Sequence, residues 1–207
     1  MLVKLSKTSK LDGILSWSLQ ALETCPGAKG AAACEACYAL DGNYRFANVK
    51  APREHNKEDW KRKMWVLDMV HALEDLEYFR WFDSGDMYAI GLARKIYAVM
   101  LRTPYTKHWL PTRMHKFEKF GTLLALMEAL PNVVVRRSSD SITGETIPGR
   151  NTSTIVQHKE DAPEGAVPCL AYEHGGKCSG CRACWSKDVP IVAYVGHGRK
   201  IVRMYNA

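Results

Sequence analysis

The sequence predicts an α/β fold: a partial (β/α) barrel with mainly parallel strands and a cysteine-rich C-terminal loop. Three observations carry this expectation. Short apolar runs alternate with helical segments of about 14 to 20 residues, the pattern of βαβ units. Polar residues follow the strand-like runs, as they do at the carboxyl ends of strands in such sheets. All seven cysteines fall into two groups with a shared spacing. A chain of 207 residues is long enough for one well-cored domain, and residues 1–207 are read as a single iron–sulfur-binding α/β domain.

The elements follow in order. Gly13 to Leu19 is an early strand candidate. From Lys57 to Glu77, Trp60, Met64, Leu67, Val70 and Leu73 make one apolar helical face, with Asn56 as N-cap and Asp59 at the capping-box position. Tyr78 to Phe82 reads as a strand. A second helix runs from Tyr88 to Leu101, buries Leu92, Ile96 and Val99, and is stopped by Pro104. Lys107 to Pro111 is a strand weakened by its proline. A third helix runs from His115 to Leu130, with Phe117, Phe120, Leu124 and Met127 on one face. Asn132 to Arg136 is the clearest strand. Ser141 to Gly165 reads as a long loop with a short strand at Ile155 to His158, and Ile191 to Val195 is the last strand.

The cysteines are the main chemical signal. Cys25, Cys34 and Cys37 read C-x8-C-x2-C, and Cys169, Cys178, Cys181 and Cys184 read C-x8-C-x2-C-x2-C. A tetrahedral zinc ion draws every sulfur to about 2.3 Å, which a third thiol at a further three-residue step reaches poorly. A [4Fe–4S] cluster offers separate iron corners to thiolates spread along a loop. The reading is therefore a [4Fe–4S] cluster on Cys169, Cys178, Cys181 and Cys184, with zinc as the alternative metal. The N-terminal three are the second candidate set. They could hold a second cluster with an open iron, or zinc with His55 or Asp41 as fourth ligand. They could also be structural thiols or lend ligands to a shared cluster. Disulfides fit poorly, because the count is odd and no secretory signal is expected.

Four residues after the strands are candidates for a catalytic or binding pocket: Asp83, Asp86, Arg113 and Asp140. The plainer reading is that Asp86 caps a helix and Asp83 belongs to a loop. Trp81, Trp109 and Trp185 read as core or cluster-shielding residues, and His197 as a loop histidine. The formal net charge of +7 favours an anionic partner: a small anionic substrate, or nucleic acid bound weakly through phosphates. No run approaches the ~18 apolar residues of a membrane span.

With these motifs in place, the chain resembles the phage "gene product 88" family of iron–sulfur-type proteins. The resemblance rests on Cys25-Pro26-Gly27, on Cys34-x-x-Cys37-Tyr38-Ala39 with Gly42-Asn43-Tyr44, on Arg80 to Asp86, and on Cys178 to Trp185. It implies a viral protein in the cytoplasm of the infected bacterial host. It also implies a partial barrel similar to that of radical S-adenosylmethionine enzymes. Those enzymes usually carry C-x3-C-x2-C, and the longer first gap here counts against S-adenosylmethionine as a cofactor. The expected function is that of a redox or radical-type metalloenzyme. The alternatives are a nucleic-acid-binding protein with a structural cluster, or an electron carrier serving an unidentified redox partner.

Overall fold

The computed structural model describes residues 3–207; Met1 and Leu2, at the head of the lysine-bearing N-terminal stretch, lie outside it. Eight strands form one open sheet: β1 (Ser6–Lys7), β2 (Leu15–Trp17), β3 (Tyr78–Trp81), β4 (Lys107–Thr112), β5 (Val133–Ser138), β6 (Thr152–Val156), β7 (Ala166–Cys169) and β8 (Ile191–Val195). Their spatial order is β1-β2-β3-β4-β5-β6-β8-β7. Only the β1–β2 pair is antiparallel; every other pair is parallel. The helices are α1 (Ala32–Glu35), α2 (Ala47–Asp59), α3 (Trp65–Leu73), α4 (Ile90–Arg102), α5 (Gly121–Ala129) and α6 (Arg199–Tyr205). The α/β class with a mainly parallel sheet is as the sequence predicts. The sheet does not close on itself, since β1 and β7 are its two edges.

The first predicted helix is corrected. The segment from Lys57 to Glu77 is not one helix: α2 ends at Asp59 and α3 starts at Trp65. Lys95 Nζ donates to the Trp60 and Arg62 carbonyls, while the Arg62 guanidinium bridges Asp59 and Asp68 across the break. Asn56 is no N-cap. It is buried inside α2, and its amide donates to the Ser18 and Lys4 carbonyls. Asp59 closes α2 instead of opening a helix. The third predicted helix is shorter than expected, with two 3-10 turns, Met114–Lys116 and Glu118–Phe120, preceding α5. Pro111 lies within β4 without cost, because β3 pairs only as far as Trp109.

Alternation along the central strands sorts two faces. Phe79, Trp81, Leu110, Val133 and Val135 point to α3, α4 and α5 and join the main core with Trp65, Met69, Ile96 and Leu124. Tyr78, Arg80, Trp109, Val134 and Arg136 occupy the alternate positions on the other face. Over β3 to β5 that face is covered by the connection from β7 to β8, while α1 and α6 pack near Ile155 of β6. Trp185 of this connection packs on Trp109 and Tyr78 with ring centroids 5.0 and 5.7 Å away, and its indole N–H donates to the Phe79 carbonyl at 3.0 Å. The connection is tied down by Asp12, whose carboxylate accepts from Ser179 N, Gly180 N and Arg182, and by the Cys178 N–H donating to the Lys10 carbonyl.

One buried titratable group in the core is locked neutral. His108 is fully buried; its Nδ1 accepts from Trp81 Nε1 at 3.2 Å, and its Nε2 lies 2.9 Å from Thr103 Oγ1. Thr103 Oγ1 donates onward to the Val99 carbonyl, so Nε2 is the donor to Thr103 and the neutral ring satisfies both neighbours. Burial pushes the His108 pKa down to about 3. A depressed histidine contributes stability that is present above its unfolded pKa, near 6.5, and is lost as pH falls toward 3. Stability measured by urea unfolding is therefore expected to fall across that window. A His108→Gln variant, less stable at pH 7, is expected to show a shallower acid slope.

Candidate metal centre

The cysteines lie in two segments of the chain. Cys25, Cys34 and Cys37 lie in the long segment after β2, the first parallel strand, with Cys34 inside α1. Cys169 ends β7, and Cys178, Cys181 and Cys184 follow in the β7–β8 connection. All seven thiols are free.

Within each group the thiols act on one another. Burial pushes the Cys25 thiol up to about 12, with further push from Asp86, Cys34 and Cys37. Cys34 and Cys37 are also raised by burial, while Arg113 pulls both down. In the second group, burial and then Cys169 and Cys184 push Cys178 up to about 11. Burial raises Cys184 too, against the Tyr194 hydroxyl and the Arg136 charge. Its sulfur is 3.2 Å from Tyr194 Oη. Cys181 stands apart: it is exposed at the tip of the connection. Among the described residues no three His, Cys, Asp or Glu side chains converge to hold a single ion. The suggested zinc partners of the N-terminal set are engaged elsewhere, His55 with Asp59 at 3.7 Å and Asp41 with Lys200 at 3.2 Å.

The four strand-end candidates are tied into hydrogen bonds and ion pairs with their neighbours. Asp83 is buried. Its Oδ1 accepts from Arg80 at 2.9 Å, and its Oδ2 accepts from Tyr44 Oη at 2.6 Å and Arg53 at 3.3 Å. Its carbonyl accepts from Tyr38 Oη at 2.7 Å, which ties the residue after Cys37 to the end of β3. Asp86 accepts from Thr112 Oγ1, the Arg113 N–H and the Met87 N–H, so its carboxylate laces the ends of β3 and β4 together. It does not cap α4, whose N-cap is Ala89. Burial raises the Asp86 pKa, and repulsion from Asp83 is not among its causes. Asp140 pairs with Arg113 at 3.1 Å and with Lys116 at 2.5 Å. Lys116 also donates to the Gly27 carbonyl, and Gly27 is so close to Arg113 that a Cβ there would sit 2.7 Å from Arg113 Cβ. The candidates brace the cysteine-bearing segment against the strand ends.

Two arginines whose place at the site the sequence does not reveal lie near the Cys184 thiol. Arg80 stacks on Trp109 with its guanidinium carbon 4.5 Å from the ring centroid. Arg136 is fully buried and donates to the Ala183 and Ser186 carbonyls on either side of Cys184 and Trp185, and to those of Thr152 and Val189. The signal was an arginine at an alternate position of an apolar strand, which puts a charge on a buried face. His197 stacks against Tyr172 and Tyr38 with centroids 4.4 and 6.4 Å away, bridging the two cysteine segments. A cavity of about 210 Å³, lined in part by His158, Cys169, Tyr172 and Val195, opens one thiol of the set toward solvent.

Asp83 is the shared counter-ion of two buried guanidiniums. Removing one partner of a buried pair typically costs about 3–5 kcal/mol. Asp83→Asn is expected to lose about 3 kcal/mol in urea unfolding. Asp140→Asn, at a more exposed pair, is expected to lose under about 1 kcal/mol.

A family model described as gene product 88 matches residues 2–187. No curated protein matches the chain, and no solved structure does.

Proposed function

Because the chain belongs to the gene product 88 family, a phage gene-product family whose description states no activity, we propose its function from the thiol site itself: an iron–sulfur protein that exchanges single electrons. Cys169, Cys178, Cys181 and Cys184 are the proposed ligands of a [4Fe–4S] cluster. The observation that carries the proposal is the packing of Cys178 and Cys184 against the Trp109–Trp185 pair, with Cys184 Sγ 3.2 Å from Tyr194 Oη, on a chain whose spacing adds Cys169 and Cys181. The fourth thiol, Cys181, sits on the same short connection, three residues from each neighbour. A bound cluster supplies reversible one-electron chemistry.

The chain's own residues set the conditions. Trp185 and Trp109 keep water from the inner side of the site. Cys178 and Cys184 are held as neutral thiols by burial, so ligation must displace protons, and assembly is favoured as pH rises. The cavity beside Cys169 and the exposed Cys181 are where a redox partner or small substrate would approach. The hydrogen bonds that fill the Asp83 and Asp86 carboxylates favour electron transfer over a radical reaction on a substrate held at the strand ends. On this reading the protein works in the reducing interior of the infected host. No helix among the described residues is long and apolar enough to cross a membrane.

Protein purified without air is expected to be brown and to carry about four iron and four acid-labile sulfide per chain. Cys178→Ser, Cys181→Ser and Cys184→Ser should each remove or convert the cluster, and Cys25→Ser should do less. Colourless protein with one zinc and no sulfide sinks the proposal. A cluster that survives loss of Cys169 but not of Cys34 and Cys37 reverses the ligand assignment.

A further inference from the structure

Arg136 presents a charge without an evident counterpart. It is fully buried, and a guanidinium does not give up its proton in a protein. Its four hydrogen bonds go to backbone carbonyls, which solvate a cation but do not neutralise it. Among the described residues no carboxylate forms an ion pair with it, and its Nε is buried without a partner. The titratable groups that act on it are Tyr194 and Cys184, and neither is a carboxylate.

The neighbouring charges deepen the imbalance. Arg53 and Arg80 share the one carboxylate of Asp83, at 3.3 and 2.9 Å. Arg80 also has a buried, unpartnered Nε and lies on the same face as Arg136, against Trp109. Three guanidiniums thus face one carboxylate, leaving two positive charges in excess. Leaving charge buried and unpaired costs several kcal/mol per ion. A fold that keeps such an excess beside the Cys184 turn holds a place for an anion.

We infer that Arg80 and Arg136 are positioning residues that form the built-in counter-charge of an anionic, thiolate-ligated centre at Cys169, Cys178, Cys181 and Cys184, and that they set its reduction potential. The inference rests on the proposed iron–sulfur site. Four thiolates on an oxidised [4Fe–4S] core make a net dianion, which matches the excess of two. Arg136 clasps the carbonyls of residues 183 and 186, so its charge is fixed to the turn that carries Cys184. Reduction adds a negative charge to the centre. A fixed cation beside it stabilises the reduced form and raises the potential, and burial strengthens the effect.

The test is a redox titration, followed by visible absorbance and electron paramagnetic resonance, of anaerobically purified wild type, Arg136→Gln, Arg136→Lys and Arg80→Gln. Folding is checked by circular dichroism and thermal melting. Loss of either positive charge is expected to favour the oxidised form about tenfold at a fixed potential, equivalent to about 59 mV lower for a one-electron couple. Arg136→Lys should restore most of that shift, which a purely structural role for the side chain would not predict. Should Arg136→Gln fail to fold, Arg80→Gln carries the same expectation, because Asp83 keeps Arg53 as its partner. An unchanged potential in a folded, cluster-bearing charge-loss variant overturns the inference and leaves the cluster assignment standing. Wild type without iron and sulfide overturns both.

Discussion

A parallel sheet must bury both of its faces, and over its central strands the helices serve only one. α3, α4 and α5 cover the face that presents Phe79, Trp81, Leu110 and Val135. The opposite face is covered by the segment between β7 and β8, which carries three of the seven cysteines and follows a fourth. The covering segment is therefore also the chemical segment. Trp185 supplies its apolar contact, Arg136 holds its turns by their carbonyls, and Asp12 pins its glycine-rich tip. Thiols that would sit in water on an ordinary surface loop are drawn against aromatic side chains and buried charge.

Much of the fold was legible because apolar strands announce themselves. Val133 to Val135 and Ile191 to Val195 are β-branched runs bounded by turns, and both are strands. The helix α2 was illegible for a physical reason. The residues it buries are Arg53, Asn56 and Asp59, so it carries no apolar stripe to detect. Its tertiary contacts are hydrogen bonds to Ser18, Ser84 and Asp83, partners that local sequence does not reveal. β7 was missed because Ala166 to Cys169 contains a proline; it lies on the sheet edge, where a missing N–H is tolerated.

The candidate site was legible in part. Spacing alone grouped the cysteines, and the fold keeps those groups, with Cys181 set apart at the exposed tip. The four strand-end polar residues were found by their position, but position does not distinguish a ligand-binding carboxylate from a structural one. The hydrogen bonds make that distinction. Asp86 is filled by three donors from its own neighbourhood, and Asp83 by Tyr44 and two arginines. Their role is to hold the segment bearing Cys25, Cys34 and Cys37 at a fixed height above the sheet. The glycine between them is part of the same device. Gly85 has φ +82° and lies so near Leu19 that a Cβ would approach its Cβ to 2.6 Å, a conformation and a clearance open to no other residue.

The anchoring of the β7–β8 connection to Asp12 has a consequence for the order of folding. The Ser179 N–H and the Asp12 carboxylate are separated by 167 residues along the chain. A contact of that span contributes nothing until nearly the whole polypeptide has left the ribosome, while α3, α4, α5 and their strands can associate through nearer neighbours. The bare face of the sheet, with Trp109, Tyr78 and two arginines on it, therefore stands open during synthesis. Closure comes last and brings the thiols with it. The entropy cost of so long a closure rises only logarithmically with its length, and the docked rings of Trp185 and Trp109 offset it. The nascent protein thus passes through a stage at which its inner surface is exposed to the cell, and the interval before docking is when closure and misfolding compete.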